Sequence, residues 1–321
     1  MRAVRIDSFG GPEVLELVDL PIPTPGPRQL LVDVAVAGVN YRDIYERAGL
    51  YGGTPPLVVG AEGAGTVAAV GDDVSEFAPG DRVAWAAAPG SYAEQALVDA
   101  DRAVPVPEAV SEELAAASLL QGMTAQYLCS ATYPVEAGET VLVHAAAGGV
   151  GLLLTQLVKL RGGRVIGTTS APEKEKLVRA AGADEVIGYE GFAERVRELT
   201  GGEGVSAVYD GVGRSTFDDS LASLRTRGFL VLYGAASGPV PEFQLQRLMS
   251  GGSLYVTRPS LVHYTRTRGE LLDRARDVFE WIADGTLDVR IGGRYPLEQA
   301  RAAHEDLAGR RTSGKLLLLV R

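Results

Sequence analysis

The run Val141-Leu142-Val143-His144-Ala145-Ala146-Ala147-Gly148-Gly149-Val150-Gly151-Leu152 sets a cluster of small residues between an apolar strand-like segment and a helix-like one. Against the G-x-G-x-x-G pattern, Ala146, Gly148 and Gly151 take the three spaced positions, with alanine in the first. Small residues there let the backbone approach a pyrophosphate, and a helix N-terminus adds free N–H donors and a partial positive charge. A tight turn with no ligand would use the same glycines, so the flanking pattern decides between the two.

That pattern is an alternation. Downstream, residues 140–144, 164–168, 185–187, 205–210 and 229–233 are predicted strands, with helical segments between most of them. Repeated β-α units imply a parallel, doubly wound sheet. Upstream, residues 1 to about 97 are rich in Gly, Pro and Val, and short alternating runs such as 30–36 and 65–70 predict an antiparallel β domain. The proline-rich stretch from Pro21 to Pro27 is a stiff extended connection, since each proline lacks an N–H and fixes φ. Ser111 begins a helical stretch that runs to about Tyr133. After Arg258-Pro259 come an amphipathic helix at about 270–283, another at about 297–307, and a closing strand at 315–320. These pieces leave the alternation and are expected to return to the first domain. The expected class is therefore α/β, with residues 1–122 and 260–321 in one domain and 123–259 in the other.

At 321 residues the chain has room for about two domains. Hydrophobic residues at 46% and charged residues at 22% fit a water-soluble globular protein and exclude disordered and membrane-embedded classes. A formal net charge of −10 repels a phosphate backbone, so nucleic acid is not an expected partner. Cys129 is the only cysteine and there are three histidines, which gives no intramolecular disulfide and no Cys-rich zinc site; a reducing cytoplasm is expected. The N-terminus meets charge before any apolar run, and no stretch approaches the ~20 residues of a spanning helix, so neither a signal peptide nor a membrane anchor is expected.

The segment Gly167-Thr168-Thr169-Ser170-Ala171-Pro172-Glu173-Lys174 ends the second strand of the alternation without the carboxylate expected of an NAD site. Hydroxyls from Thr169 and Ser170 with the Lys174 ammonium suit a 2′-phosphate and predict NADPH. Glu173 and Glu175 beside Lys174 oppose that argument, and a solvated lysine in the first turn of a helix is the plain alternative.

Longer strings carry a family resemblance. They are Gly38-Val39-Asn40-Tyr41-Arg42-Asp43 with Gly49-Leu50-Tyr51, Gly60-Ala61-Glu62-Gly63-Ala64-Gly65 with Ala69-Val70-Gly71, and Phe77-Ala78-Pro79-Gly80-Asp81-Arg82-Val83. Further on are the glycine turn itself, Val208-Tyr209-Asp210-Gly211-Val212-Gly213, and the run from Gly252 through Ser253-Leu254-Tyr255-Val256-Thr257-Arg258-Pro259 to Leu261. Over essentially its whole length the chain resembles the zinc-independent quinone oxidoreductases, the zeta-crystallin-like branch of the medium-chain dehydrogenase/reductase superfamily. The resemblance implies a GroES-like catalytic domain from both chain ends, a Rossmann cofactor domain between them, an active-site cleft where they meet, NADPH, quinone substrates and a homodimer. By position it puts cofactor contacts on Asn40, Gly148, Gly149, Val150, Lys174, Tyr189 and Arg310. It puts active-site tyrosines on Tyr45 and Tyr51, and the nicotinamide region on Thr124, Gly234 and Ala235.

Zinc alcohol dehydrogenases of the wider superfamily have a cysteine where this chain has Asn40, and a histidine before glutamate where it has Ala61-Glu62. The four-cysteine lobe that would follow Trp85 is also missing, so no metal is expected. Alcohol oxidation then lacks a Lewis acid, whereas a quinone or conjugated enone accepts hydride readily and spreads the charge over its π-system. Asn40, Tyr45 or Tyr51 could donate to the developing oxyanion; equally, the tyrosines could pack in the β domain and Asn40 could hydrogen-bond a turn.

His144 reads as a core residue beside the turn, His263 and His304 lack partners at metal spacing, and Cys129 reads as a small packed hydrophobe. The β run at Ser253 to Thr257 is an expected edge strand, able to pair with its symmetry mate in a homodimer. Three functions follow: an NADPH-dependent quinone reductase, an ene-reductase acting on enones, alkenals or enoyl thioesters, and a non-catalytic NADPH-binding protein.

Overall fold

The computed structural model describes residues 1–321, in two compact units: Met1–Met123 with Thr265–Arg321, and Thr124–Tyr264. In the second, six strands form one all-parallel sheet. Its spatial order is Glu185–Ile187, Arg164–Thr168, Thr140–Val143, Val205–Asp210, Leu224–Leu232 and Tyr255–Thr257. Numbered along the chain this is 3-2-1-4-5-6, the doubly wound order of a Rossmann fold. Val141, Leu142 and Val143 are wholly buried because helices cover both faces, which is why this strand reads as a continuous apolar run. The order reverses between Thr140–Val143 and Val205–Asp210, so the glycine turn leaves the sheet at its switch point.

Two strands of this sheet start elsewhere than predicted. The fifth begins at Leu224, not 229, because Arg227 takes a left-handed φ of 60° and the register slips between the Val205–Leu224 and Ala207–Phe229 pairs. The edge strand begins at Tyr255; Ser253, at φ 58°, belongs to the turn before it.

The other unit is built on Gln29–Val39, the longest strand, which pairs antiparallel with Glu62–Val70, Gln95–Asp99 and the closing strand Lys315–Leu319. The chain's end thus returns to the first domain. One parallel pair, Ile291–Pro296 with Lys315–Leu319, interrupts the expected antiparallel pattern. Pro21 to Pro27 lies outside every helix and strand. Ser111 caps the helix Glu112–Tyr127, its Oγ accepting from the Leu114 N–H at 3.2 Å. The core gathers Val32, Val34, Val83, Trp85, Tyr92, Leu316 and Leu318. A buried Trp85 needs a partner for its indole, and Nε1 donates to Ser91 Oγ at 2.8 Å.

Candidate active site

The turn after Thr140–Val143 is tied down at both ends. Ala145 sits at φ 49° and its N–H donates to Tyr189 Oη at 2.9 Å, while the Ala146 N–H donates to the Thr168 carbonyl at 3.0 Å. Helix Gly149–Leu160 follows, with Gly148 at its N-cap. A Cβ on Gly151 would lie 2.5 Å from the Ala145 carbonyl oxygen, so only glycine lets the helix seat this close to the strand end. Gly149 and Val150 carry first-turn amides, which have no intrahelical acceptor and face outward. This is a backbone cradle with the polarity to hold a pyrophosphate.

Beneath the cradle lies a buried polar chain. Ser220 Oγ donates its single hydrogen to Asp210 Oδ2 at 3.0 Å, so it accepts from His144 Nε2–H at 3.0 Å; His144 Nδ1 then accepts from Thr168 Oγ1 at 2.9 Å. The imidazole is neutral, because burial holds its pKa well below the ordinary value and outweighs the nearby Asp210 charge. Asp210 Oδ1 accepts from the Val212 and Gly213 N–H groups at 2.7 and 2.9 Å, and Thr216 Oγ1 donates to Oδ2 at 2.7 Å. Tyr233 and Gly234 donate backbone N–H groups to the Asp210 carbonyl. The ends of four neighbouring strands are thereby locked together, with Gly234 and Ala235 beside the 210–213 loop.

Thr169 is buried, Ser170 is exposed, and Lys174 lies half-buried in the first turn of helix Pro172–Ala180. Glu175, one of the two acids that weigh against a 2′-phosphate, ion-pairs with Arg179 at 2.7 Å. Thr124 is buried near the end of helix Glu112–Tyr127. Cys129 is buried and its thiol is pushed up to about 12 by burial, which leaves it unreactive.

Asn40, Tyr45, Tyr51 and Arg310 belong to the other unit. Asn40 follows the long strand and caps helix Tyr41–Arg47. Its side chain enters a buried cluster: Oδ1 accepts from Lys315 Nζ at 2.8 Å and from Gln121 Nε2 at 3.2 Å, and Nδ2 donates to Glu62 Oε2 at 2.8 Å and to the Gly38 carbonyl at 3.3 Å. Lys315 also ion-pairs with Glu62 Oε2, the two side chains being 1% and 0% exposed. Glu62 Oε1 accepts from the Leu120 N–H at 2.6 Å. Gly38 makes room, since a Cβ there would meet Glu62 Oε2 at 2.6 Å and Lys315 Cε at 2.9 Å.

Helix Tyr41–Arg47 displays a ring series. Tyr41 and Tyr45 have centroids 5.6 Å apart, Tyr45 and Tyr51 5.3 Å; Tyr45 is 9% exposed and Tyr51 54%. Burial raises the Tyr41 pKa, and the Arg310 charge opposes it, which places Arg310 in the same neighbourhood. The helix's other side is anchored by a second polar chain. Tyr92 donates to Asp43 Oδ2 at 2.9 Å, so its oxygen accepts from His304 Nε2–H at 3.1 Å, and His304 Nδ1 accepts from Arg47 Nη1 at 3.2 Å. Asp43 Oδ2 also accepts from the Asn40 N–H at 2.8 Å. Burial raises Asp43 to about 6 and, with Arg47 adding to it, lowers His304 to about 3.

Two family descriptions match the chain: "Alcohol dehydrogenase GroES-like domain" over residues 26–108 and "Zinc-binding dehydrogenase" over 149–280. A quinone oxidoreductase of Pseudomonas aeruginosa is 45% identical over 322 residues, covering 99% of both chains. This chain belongs to the quinone oxidoreductase family. A solved mycobacterial structure complexed with NADPH shares 52% identity and a TM-score of 0.98 with this family member, over 100% of each chain. A 2-haloacrylate reductase of a Burkholderia species is 39% identical over 329 residues, covering 99% of both.

The second description implies zinc, and the residues do not fit it. Asn40 offers one amide oxygen and Glu62 one carboxylate, and the Lys315 ammonium already bonds to both. No group of three His, Cys, Asp or Glu side chains is placed to hold a metal ion. For NADPH the cradle does fit: Gly148 and Gly151 keep the turn free of side chains that would block the backbone.

Lys315, Gln121 and the Asp43–Tyr92–His304 chain escaped the sequence reading. Lys315 heads a run of four leucines, and its burial at the start of so apolar a strand was the available signal.

Proposed function

We propose that this chain reduces quinones by hydride transfer from NADPH without a metal ion. The observation that carries the reading is the Lys315 ammonium seated on Asn40 and Glu62, which leaves an acceptor that needs no Lewis acid as the fitting substrate class. The full-length likeness to quinone oxidoreductases supports it. NADPH, when bound, supplies the hydride; a quinone takes that hydride and one proton to become a hydroquinone.

The amides of Gly148, Gly149 and Val150 hold the pyrophosphate, with Tyr189 fixing the turn through Ala145. Thr169, Ser170 and Lys174 take the 2′-phosphate. Thr124, Gly234 and Ala235 are assigned to the nicotinamide end, and Arg310 is assigned as a further cofactor contact. Tyr45 supports Tyr51, whose exposed ring and hydroxyl face the acceptor and exchange protons with solvent. Asn40 acts on the site through its amide: its hydrogens are engaged by Glu62 and Gly38, so it positions its neighbours more than it donates to an oxyanion. The catalytic domain is assigned to the unit Met1–Met123 with Thr265–Arg321 and the cofactor domain to Thr124–Tyr264, which moves the expected boundaries by one residue at the first crossing and five at the second.

Reduction of an activated C=C bond is the second reading, favoured by the 2-haloacrylate reductase likeness. The chain also works as a homodimer through the edge strand Tyr255–Thr257, which pairs with only one neighbour within the chain. Its Tyr255 stacks on Phe229 at 4.4 Å beside an open depression of about 950 Å³ that a second copy can fill. No helix is long and apolar enough to cross a membrane, and the cytoplasm is the proposed compartment.

Anaerobic NADPH oxidation tests the reading, with a small quinone in one cuvette and 2-haloacrylate or an enone in another. Faster turnover to hydroquinone is expected. Selective formation of the saturated product establishes the second reading, and NADPH binding with silence in both cuvettes overturns both.

A further inference from the structure

The buried chain from Thr168 to Asp210 runs in one direction. Asp210 accepts at both oxygens, so the Ser220 hydroxyl gives its hydrogen there and receives one from His144 Nε2. The imidazole then carries no proton at Nδ1, and the Thr168 hydroxyl donates to it at 2.9 Å. All four residues are wholly buried. The ring itself is gripped: Tyr189 stacks on it with centroids 5.9 Å apart at 20°, and Phe192 meets it edge-on at 4.7 Å and 78°. Ala145, the next residue, holds its left-handed φ of 49° with its N–H on Tyr189 Oη.

Each end of the chain leads to a different part of the cofactor unit. Thr168 is bound to the glycine turn twice, by its carbonyl under the Ala146 N–H and by its hydroxyl on His144, and it directly precedes Thr169 and Ser170. From the other ring nitrogen, Ser220 and Asp210 lead to the Val212 and Gly213 amides, and the Asp210 carbonyl accepts from Tyr233 and Gly234. Resting on the proposed function, the first end serves the adenosine half of NADPH, and Gly234 with Ala235 the nicotinamide half. A dinucleotide lies across the strand tips of such a sheet at its switch point, so its two halves meet the two ends.

We propose that His144 is a positioning residue that sets the spacing between the two halves of the dinucleotide site. Wholly buried, it acts through Thr168 and Ser220. It holds the strand tip at Thr168 and the Asp210 loop in one register, so a ligand filling both halves gains affinity that a ligand filling one does not. A histidine that merely fills the core would affect whole and fragment alike.

The test titrates NADPH, and separately its fragment adenosine 2′,5′-bisphosphate, into the unaltered protein, Thr168→Val, Thr168→Ser and His144→Leu by calorimetry. Thr168→Val keeps the side-chain shape and the Ala146–Thr168 backbone bond, and removes only the donor to Nδ1. It is expected to weaken NADPH by about fivefold and to change the fragment by less than about twofold. His144→Leu breaks both ring bonds and is expected to weaken NADPH by about tenfold, again sparing the fragment. Thr168→Ser restores the hydroxyl and is expected to return the NADPH constant to within about twofold of the unaltered value. Should His144→Leu not fold, the two Thr168 variants decide. Equal weakening of NADPH and fragment overturns the proposal, as does an unchanged NADPH constant in Thr168→Val or a failure of Thr168→Ser to restore it. Unaltered protein that binds NADPH but reduces no quinone sinks the quinone reading and leaves the ratios to decide His144. Unaltered protein that binds neither ligand removes the cofactor site and the proposal together.

Discussion

In the Thr124–Tyr264 unit His144 has a hydroxyl on each ring nitrogen and Asp210 has donors on both oxygens. In the other unit Gln121 Oε1, Asp43 Oδ1, Glu46 Oε2 and Arg42 Nε are buried without partners, and every such side-chain atom of the chain lies in that unit. Native interiors pair nearly all such groups, so an imbalance of this kind is informative. A fully paired network makes the cofactor-binding backbone rigid before anything binds. The unpaired atoms gather on helix Tyr41–Arg47 and at Gln121, with others at Arg5, Ser118 and Arg268, so this unit keeps strained polar groups that the other has satisfied.

The sharpest break in the comparison is Lys315→Met. Removing one partner leaves the Glu62 carboxylate buried with only Asn40 and the Leu120 N–H, and the expected loss of stability is about 3–5 kcal/mol. Lys315→Met combined with Glu62→Met removes both charges and is expected to recover more than half of that loss in denaturant unfolding. A neutral single variant would mean that the pair does not anchor the unit.

The next effect is a pH dependence that the two histidines share and Asp43 opposes. His304 titrates near 3 in the folded chain against an ordinary value of 6.5, so its contribution is full above 6.5 and is lost as pH falls toward 3. Asp43, raised to about 6 from 3.8, has the opposite sign: the folded state takes up its proton first, and stability from this group grows as pH falls from 6 toward 4. His304→Gln removes only the first effect. Its destabilisation relative to the unaltered chain is expected to be largest at pH 7.5 and to shrink by about 3 kcal/mol on reaching pH 4. His144 sits in the paired network and is depressed in the same direction, so His144→Gln should narrow its own gap with the same sign. Parallel stability curves for His304→Gln and the unaltered chain would show that His304 is not held neutral.

How much of this could be read beforehand follows from sequence distance. The glycine turn and the strands beside it are local patterns, and the switch point follows from their order. The edge strand was legible apart from its start, because nothing local announces that Ser253 takes a left-handed turn. The unpaired side is different in kind. Lys315 meets Asn40 across 275 positions and Glu62 across 253, and Gln121 joins them from a helix, so no periodicity or spacing could link the four. Glu62 was visible only as the neighbour of an absent histidine, and the lysine that opens the run of four leucines carried no sign of its pairing with Glu62.

The smallest expected effect tests the paired side. Lys174 lies in the first turn of helix Pro172–Ala180, a few residues after the strand Arg164–Thr168 and the Thr169-Ser170 pair that follows it. The Glu175–Arg179 ion pair directs one competing carboxylate along the helix, which leaves Glu173 as the acid beside the proposed phosphate position. Lys174→Ala is expected to weaken NADPH by about five- to tenfold, since a charge-assisted contact at a half-buried site contributes about 1–1.5 kcal/mol. NADH, which carries a hydroxyl in place of the 2′-phosphate, should change less than twofold. The ratio of the two dissociation constants is the decisive quantity, because any general loosening of the helix would weaken both cofactors alike. Equal losses would move the 2′-phosphate away from Lys174 and onto the Thr169 and Ser170 hydroxyls alone.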